Sequence, residues 1–481
     1  MRHAYSVETV RNAEKALMAR LPEGVLMQRA AAGLAVACGD LLRRNGRVYG
    51  SRVLLLVGSG DNGGDTLYAG ARLARRGAGV RALLTTPDKV HRPALDTLLA
   101  AGGQVLDTPD GLGPVDLVVD GITGIGGRGG LRPEAAELVR AVTAGHAPVL
   151  AVDLPSGVEA DTGQVLGAAV RADATVTFGT YKPGLLIDPA AERAGALRLV
   201  DIGLAAELPP RPDLEALQYA DVAALLPEPD AESDKYRRGV VGVAAGSERY
   251  PGAAVLAVAG ALRGGAGAVR YAGPGADAVI ARFPETLVHP GPPSKAGRVQ
   301  AWVVGPGLGD GTQAAGAVSD VLAADVPVLV DADGLRLMDM AAVRARTSAT
   351  VLTPHAGEAA ALLGVEREEV EAGRLAAVRE LAERYRATVL LKGSTTLVAE
   401  RGDTPVRVNP TGTPWLATAG SGDVLSGLTG SLLAAGLAPR DAASVGAYLH
   451  GLAARRTSDG APVTAQDVAD SVPAAWRDVW A

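Results

Sequence analysis

Short apolar runs that end in glycine-rich polar turns recur along this chain, and helix-forming stretches follow several of them. Arg52–Val57 runs into Gly58-Ser-Gly-Asp-Asn-Gly-Gly-Asp65, and Gly64–Gly77 then carries Leu67, Ala71 and Ala74 on one helical face. Val80–Leu84, Val115–Val119 and Val149–Val152 are further strand-like runs. Strand, tight turn and amphipathic helix in repetition call for a parallel sheet covered on both faces, the doubly wound α/β class. Val7–Leu42 is predicted to be mostly helical ahead of the first strand.

The pattern stops and restarts. Pro209, Pro210, Pro212, Pro227 and Pro229 cluster with acidic residues around Glu207–Pro229, which reads as a linker. Beyond it, strands are predicted at Val240–Ala244, Ala301–Val304, Pro327–Val330, Thr350–Leu352 and Thr388–Leu391. At 481 residues the chain can bury more than one core. The expected organisation is a Rossmann-like domain over 1–210 and a second α/β domain over 220–481.

Composition removes several classes. A net charge of -6 and 3% aromatic residues argue against a nucleic-acid surface. The single cysteine, Cys38, excludes an internal disulfide and a multi-cysteine metal site, and reads as a buried small hydrophobe. The N-terminus is mixed and charged without a secretory pattern, and no apolar run reaches membrane-spanning length. A cytoplasmic protein without a membrane partner is expected. Basic residues are mostly arginine; the lysines are Lys15, Lys89, Lys182, Lys235, Lys295 and Lys392. A retained lysine in such a background hints at a place for a compact charge.

The first glycine turn formally contains Gly-x-Gly-x-x-Gly, the dinucleotide fingerprint. Asp61 and Asp65, however, put carboxylates where a pyrophosphate would lie. A dinucleotide oxidoreductase and a ligand-free glycine turn therefore stand beside other readings. Asp120-Gly-Ile-Thr-Gly-Ile-Gly-Gly-Arg-Gly-Gly130 could wrap an anion, with Arg128 as cationic partner. Asp153-Leu-Pro-Ser-Gly157 is a tight polar turn. Ligands of open α/β sheets bind at the carboxyl ends of strands, so the three loops could meet there. Asn62, Asp120 and Ser156 would then offer oxygen ligands to a hard cation. Each aspartate taken alone serves equally as a turn or helix cap.

Near the C-terminal end, Gly420-Ser-Gly-Asp423 precedes an apolar helical run. Small residues and a helix N-terminus suit phosphate. Asp423 is misplaced in a pure anion site and fits a base that takes a proton from a hydroxyl. The segment thus suggests phosphoryl transfer to an alcohol. Ala245-Gly-Ser-Glu-Arg-Tyr-Pro-Gly-Ala-Ala254, Gly305-Pro-Gly-Leu-Gly309, Thr353-Pro-His-Ala-Gly-Glu358 and Leu391-Lys-Gly-Ser-Thr-Thr396 are other strand-end segments that could share one cleft. His355 alone reads as a capping residue and Lys392 alone as a strand-end surface lysine. The chain has no P-loop, no His-Glu-x-x-His and no nucleophile elbow.

The first half resembles the NAD(P)H-hydrate epimerase domain. The resemblance covers roughly residues 1–210 and rests on the Asn-Gly-Gly-Asp turn, the Asp120 loop, Val152–Val158 with Asp161–Gly163, and Thr177–Gly184. It implies that Asp61, Asn62, Gly63, Gly64 and Asp65, the loop Gly124, Ile125, Gly126, Gly127, Arg128, Gly129 and Gly130, and Asp153 bind the hydrated nucleotide. It further implies a potassium ion held by Asn62, Asp120 and Ser156. Asp61 stands where that family usually has asparagine, and Thr66 where it has glycine. Residues 220–481, introduced by Ser233–Gly239, resemble the ADP-dependent NAD(P)H-hydrate dehydratase, a ribokinase-like fold. There the resemblance implies substrate contacts from Ala253, Ala254, Gly307, His355 and Asp423. Nucleotide contacts would come from Lys392, Gly393, Ser394, Thr395, Thr396 and Gly422.

These resemblances imply a bifunctional repair enzyme for hydrated NADH and NADPH, using ADP, Mg²⁺ and K⁺ and assembling as a homo-oligomer. Asp423 would be the base for phosphorylation of the hydroxyl, and Asp153 the acid/base of R-to-S epimerisation. The alternatives are a ribokinase-type small-alcohol kinase whose first half senses a ligand, and a chain whose first half is a binding or scaffold module.

Overall fold

The computed structural model describes residues 1–44, 46–109 and 113–481. The chain divides into two compact units, His3–Leu214 and Glu215–Ala481, the second including Met1 and Arg2.

The first unit is built on a seven-stranded sheet. Its order is Gln104–Leu106, Gly79–Leu84, Arg52–Val57, Leu117–Gly121, Val149–Val152, Ala174–Phe178 and Ala196–Val200. All neighbours are parallel. The order reverses between Arg52–Val57 and Leu117–Gly121, so a crevice opens at their carboxyl ends. The run Val53–Val57 is apolar throughout because both faces are covered. Val53, Leu55 and Val57 pack in one core with Leu34, Leu67 and Leu95, while Leu54 and Leu56 join Val118, Val139 and Val149 in another. Each such side chain contributes roughly 1.5–3 kcal/mol of burial. Gly58 permits the turn that follows: a Cβ there would lie 1.8 Å from the Ile122 carbonyl oxygen.

Two boundaries differ from the sequence expectation. The helix after the first strand spans Asp61–Ala74 and not Gly64–Gly77. Gly60, with φ 90°, makes the reversal in one residue, so Asn-Gly-Gly-Asp forms the first helical turn. The strand expected at Val115–Val119 runs Leu117–Gly121, which carries Asp120 on the sheet itself. Among the described residues one helix, Val25–Arg44, is long and apolar enough to cross a bilayer. Its Ala30, Leu34, Cys38 and Leu42 are packed in the core.

The second sheet has eleven strands among the described residues; after Arg2–Ala4 and Leu214–Ala216 at one edge come Val406–Asn409, Thr396–Ala399, Thr388–Leu391, Thr350–Leu352, Val328–Val330, Ala301–Val304, Val240–Ala244, Ala268–Ala272 and Leu287–His289. From Val406–Asn409 to Leu287–His289 the pairs made by Thr396–Ala399 are antiparallel and the others parallel. Helices Pro251–Arg263 and Ser421–Ala434 touch backbone to backbone. A Cβ on Gly427 would lie 1.9 Å from the Ala257 carbonyl oxygen, and one on Gly260 2.1 Å from that of Val424. This contact fixes the helix whose first turn carries Asp423.

Candidate active sites

In the first unit, a cavity of about 1980 Å³ lies at the carboxyl ends of the strands. Asp61, Asn62, Asp65, Gly124, Ile125, Gly126, Gly127, Arg128, Gly129, Gly130 and Asp153 all line it. Gly63 and Gly64 do not. A Cβ on Gly63 would meet the Gly58 carbonyl oxygen at 2.2 Å, and one on Gly64 the Met27 side chain at 3.1 Å, so both glycines serve close packing. Glu159 Oε1 anchors the second loop by accepting from the Gly129 N–H at 2.5 Å.

Asp120 is fully buried at the end of its strand. The Ser156 N–H donates to its Oδ2 at 2.8 Å, and the Ser156 hydroxyl to its Oδ1 at 2.7 Å. Burial pushes the Asp120 carboxyl up to about 6 despite these bonds. Asn62 is also buried, and its Nδ2 has no partner among the described residues. Its Oδ1 lies 3.1 Å from where a Cβ on Gly124 would be, which brings the Asn62 turn against the second loop. The Thr66 hydroxyl donates to the Asn62 carbonyl at 2.7 Å and occupies the space left by the missing side chain of Gly121.

Asp153 has φ 66°, in the left-handed region that non-glycine residues avoid. Lys182, 1% exposed, holds its Oδ1 at 2.5 Å, and the Thr177 hydroxyl donates to the same oxygen at 3.1 Å. Asp65 is pushed well above the usual carboxylate range by burial, then by the charges of Asp153, Asp61 and Glu14. Its Oδ1 is unpartnered among the described residues. Glu14 is raised as well, first by burial. It arrives from helix Val7–Met18, and no motif marks it in the sequence.

In the second unit, Asp331, 1% exposed, follows strand Val328–Val330. Lys392 Nζ lies 2.7 Å from Asp331 Oδ1, and the Ser426 hydroxyl donates to Oδ2 at 2.6 Å. Lys392 also reaches Glu358 Oε2 at 3.6 Å. Burial pulls the Lys392 pKa down, but Asp331, Glu358 and Asp423 together outweigh it and the pKa is raised. A Cβ on Gly422 would lie 3.5 Å from Lys392 Nζ, so the glycine turn and the lysine face each other. Asp423 is pushed up to about 7, first by burial, then by Asp331, with Lys392 opposing. Asp331 and Ser426 were not singled out from the sequence. The signal available was the Val-Asp-Ala-Asp run after a strand, where Ala332 takes φ 48°.

His355 caps helix Ala356–Leu363. Its Nδ1 accepts from the Gly357 and Glu358 N–H groups at 3.0 and 3.2 Å, and Glu358 Oε2 accepts from the His355 N–H at 2.7 Å. The cap also turns Glu358 toward Lys392. Arg374 braces the following turn through the carbonyls of Leu391, Lys392 and Thr395. Thr395 and Thr396 are buried in that turn, whereas Gly393 and Ser394 are exposed. Ala253, in the first turn of helix Pro251–Arg263, meets Gly307: a Cβ on Gly307 would lie 2.5 Å from Ala253 Cβ. Ala254 is buried beside Gly246.

The family model described as NAD(P)H-hydrate dehydratase matches residues 241–474, and that described as YjeF-related protein N-terminus matches residues 23–184. A Mycobacterium leprae protein named bifunctional NAD(P)H-hydrate repair enzyme Nnr is 50% identical over 459 residues, 94% of each chain. A Corynebacterium glutamicum protein of the same name is 36% identical, covering 100% of this chain and 99% of its own. Among solved structures, an ADP/ATP-dependent NAD(P)H-hydrate dehydratase from Bacillus subtilis, co-crystallised with ATP/Mg²⁺, is 30% identical with a TM-score of 0.51. It covers 56% of this chain and 99% of its own. A ribokinase-like superfamily protein from Enterococcus faecalis has the same fold at 22% identity and TM-score 0.50, covering 56% of this chain and 96% of its own. The chain belongs to the family of bifunctional NAD(P)H-hydrate repair enzymes.

Proposed function

We propose that the second unit dehydrates the S form of hydrated NADH and NADPH with ADP, and that the first unit converts the R form to the S form. One observation carries the chemistry: Asp423, pushed up to about 7 by burial, stands in the first turn of a helix whose glycines face Lys392. A base needs a pKa near working pH, and a phosphoryl group needs N–H donors and a cation.

Hydroxide is a poor leaving group. In the proposed sequence Asp423 takes the proton of the ring hydroxyl, whose oxygen attacks the terminal phosphorus of ADP. The bond to the bridging oxygen breaks, and AMP leaves with that electron pair. The phosphate ester then departs from the ring, a proton is lost from the neighbouring carbon, and the reduced nicotinamide returns. Lys392 and the Gly420–Gly422 turn balance charge on the transferring group. Mg²⁺ would enter with the nucleotide as part of the co-substrate. No cage of three or more metal-binding side chains occurs among the described residues, which suits an ion that keeps its waters and phosphate ligands.

In the first unit, Asp153 is the acid/base candidate, and Lys182 fixes its carboxylate. Asn62, Asp120 and Ser156 fit a monovalent cation: Asp120 is a buried carboxylate bonded to neutral groups, and Asn62 brings an amide oxygen to the adjoining loop. A bound K⁺ would supply the missing positive charge there. A cytoplasmic homo-oligomer remains part of this proposal on the family resemblance alone.

Supplying a mixture of R and S hydrate with ADP tests the division of labour. The parent chain is expected to consume both forms, and an Asp153→Asn variant to stop once the S form is spent. Continued rapid use of the R form by that variant would contradict the assignment of Asp153.

A further inference from the structure

Helix Val7–Met18 precedes every motif of the first unit, and its position is fixed on two sides. Val10, Ala13 and Leu17 form one stripe and pack in the core of that unit. At the helix start, Asp161 Oδ1 accepts from the Val7 N–H at 2.7 Å and Asp213 Oδ2 from the Ser6 N–H at 2.8 Å. Arg11, Glu14 and Met18 follow the buried stripe by one residue, about 100° around the helix. All three line the cavity of about 1980 Å³ at the carboxyl ends of the strands. One wall of this cavity therefore comes from outside the glycine loops.

Arg11 meets the second of those loops. A Cβ on Gly126 would lie 3.3 Å from Arg11 Nη2, so the guanidinium rests close to bare backbone. Arg11 is exposed, and among the described residues it makes no hydrogen bond or ion pair. Its donors are thus free for a ligand in the cavity. The first glycine turn is a poor place for an anion, because Asp61 and Asp65 line the same cavity from the start of its helix. The hydrated nucleotide nevertheless carries a diphosphate, which needs cationic partners. Arg11 and Arg128 both face the cavity at the second loop.

We propose that Arg11 binds the diphosphate of the hydrated nucleotide against the Gly126 backbone, so that helix Val7–Met18 and the loop Gly124–Gly130 together form the phosphate subsite of the first unit. A guanidinium presents a planar fork that can bridge two phosphate oxygens. The diphosphate is remote from the ring carbon that changes configuration. Arg11 therefore contributes binding that is equal in the ground and transition states. The inference rests on the epimerase reading of this unit.

The test compares Arg11→Met, Arg11→Lys and the parent in the full chain. ADP is left out, so that the second unit is idle, and R-to-S conversion of hydrated NADH is followed as kcat and KM. Inhibition of the conversion by ADP-ribose is measured alongside, since that compound has the diphosphate but no nicotinamide ring. Arg11→Met is expected to raise KM by about 10- to 100-fold, as loss of charge-assisted hydrogen bonds does, with kcat within about threefold of the parent. Inhibition by ADP-ribose should weaken by a similar factor. Arg11→Lys keeps the charge without the fork and should recover part of both losses. A KM for Arg11→Met within twofold of the parent would overturn the inference. So would a fall in kcat with KM and ADP-ribose inhibition unchanged, because Arg11 would then not hold the diphosphate. A parent chain that does not interconvert R and S hydrate would instead contradict the function proposed for the unit, and this inference with it.

Discussion

Lys392 Nζ lies 2.7 Å from Asp331 Oδ1, and the two residues are 61 positions apart in the chain. Asp331 is nearly inaccessible, whereas Lys392 keeps an exposed side. The lysine is thus held by one carboxylate while part of it stays available to a phosphate. Replacing Lys392 by alanine strands a buried carboxylate with only the Ser426 hydroxyl, and is expected to cost about 3 kcal/mol of stability. Urea unfolding would measure it. Adding Asp331→Asn to that variant should recover a large part of the loss, because a neutral amide replaces the unpaired charge.

Asp423 gives the dehydratase its pH dependence. Its carboxyl titrates at about 7 in the folded chain, so the base form appears as pH rises through that value. The kcat/KM for S hydrate should climb with pH and level off above about 7. The residual rate of Asp423→Asn should lack that step and lie about 10²–10⁴-fold lower. The sign for stability is opposite. The folded chain holds this proton more tightly than the unfolded chain does, so Asp423 subtracts stability as pH rises from its ordinary value toward 7. A rate that fell with rising pH across this window would rule Asp423 out as the base.

Much of this site was legible because phosphate chemistry uses local signals. Gly420-Ser-Gly-Asp423 carries its own turn, helix start and base in four consecutive residues. Asn62, Asp120 and Ser156 could be grouped because each follows a predicted strand. The partners of these residues were not legible. Asp331 reaches Lys392 only through the order of parallel strands, which periodicity does not specify. Glu14 enters from a helix ahead of the sheet. The short strands Ala174–Phe178 and Thr396–Ala399 escaped notice because a run of only four or five apolar or β-branched residues carries little periodic signal. Gly63 and Gly64 carry a related ambiguity: a glycine required by a backbone contact looks the same in sequence as one required by a ligand. The small-alcohol kinase reading gave way to the family match along both halves.

Potassium should show in stability as well as turnover. Exchanging KCl for tetramethylammonium chloride at equal ionic strength is expected to lower the Tm of the first unit's transition by a few degrees, about 1 kcal/mol. Asp120→Asn should abolish the difference between the two salts. An equal salt response in the variant and the parent would show that Asp120 does not help hold the ion.

Lys182 and Asp153 form the other buried pair. Lys182→Met leaves the Asp153 carboxylate without its cation and should slow R-form conversion by roughly 10²-fold or more. S-form dehydration by the same chain should be unaffected. Loss of both activities together would mean that the pair maintains the fold rather than the reaction.

The central claim is that phosphoryl transfer in the second unit serves elimination from a damaged cofactor. The most direct measurement follows reduced-nicotinamide absorbance and AMP together, with purified chain, S hydrate of NADH and ADP. The account predicts that absorbance returns with one AMP and one phosphate formed per cofactor restored, and that Asp423→Asn slows both signals together by about 10²–10⁴-fold. Accumulation of a phosphorylated hydrate without recovery of absorbance, or recovery without AMP, would contradict it.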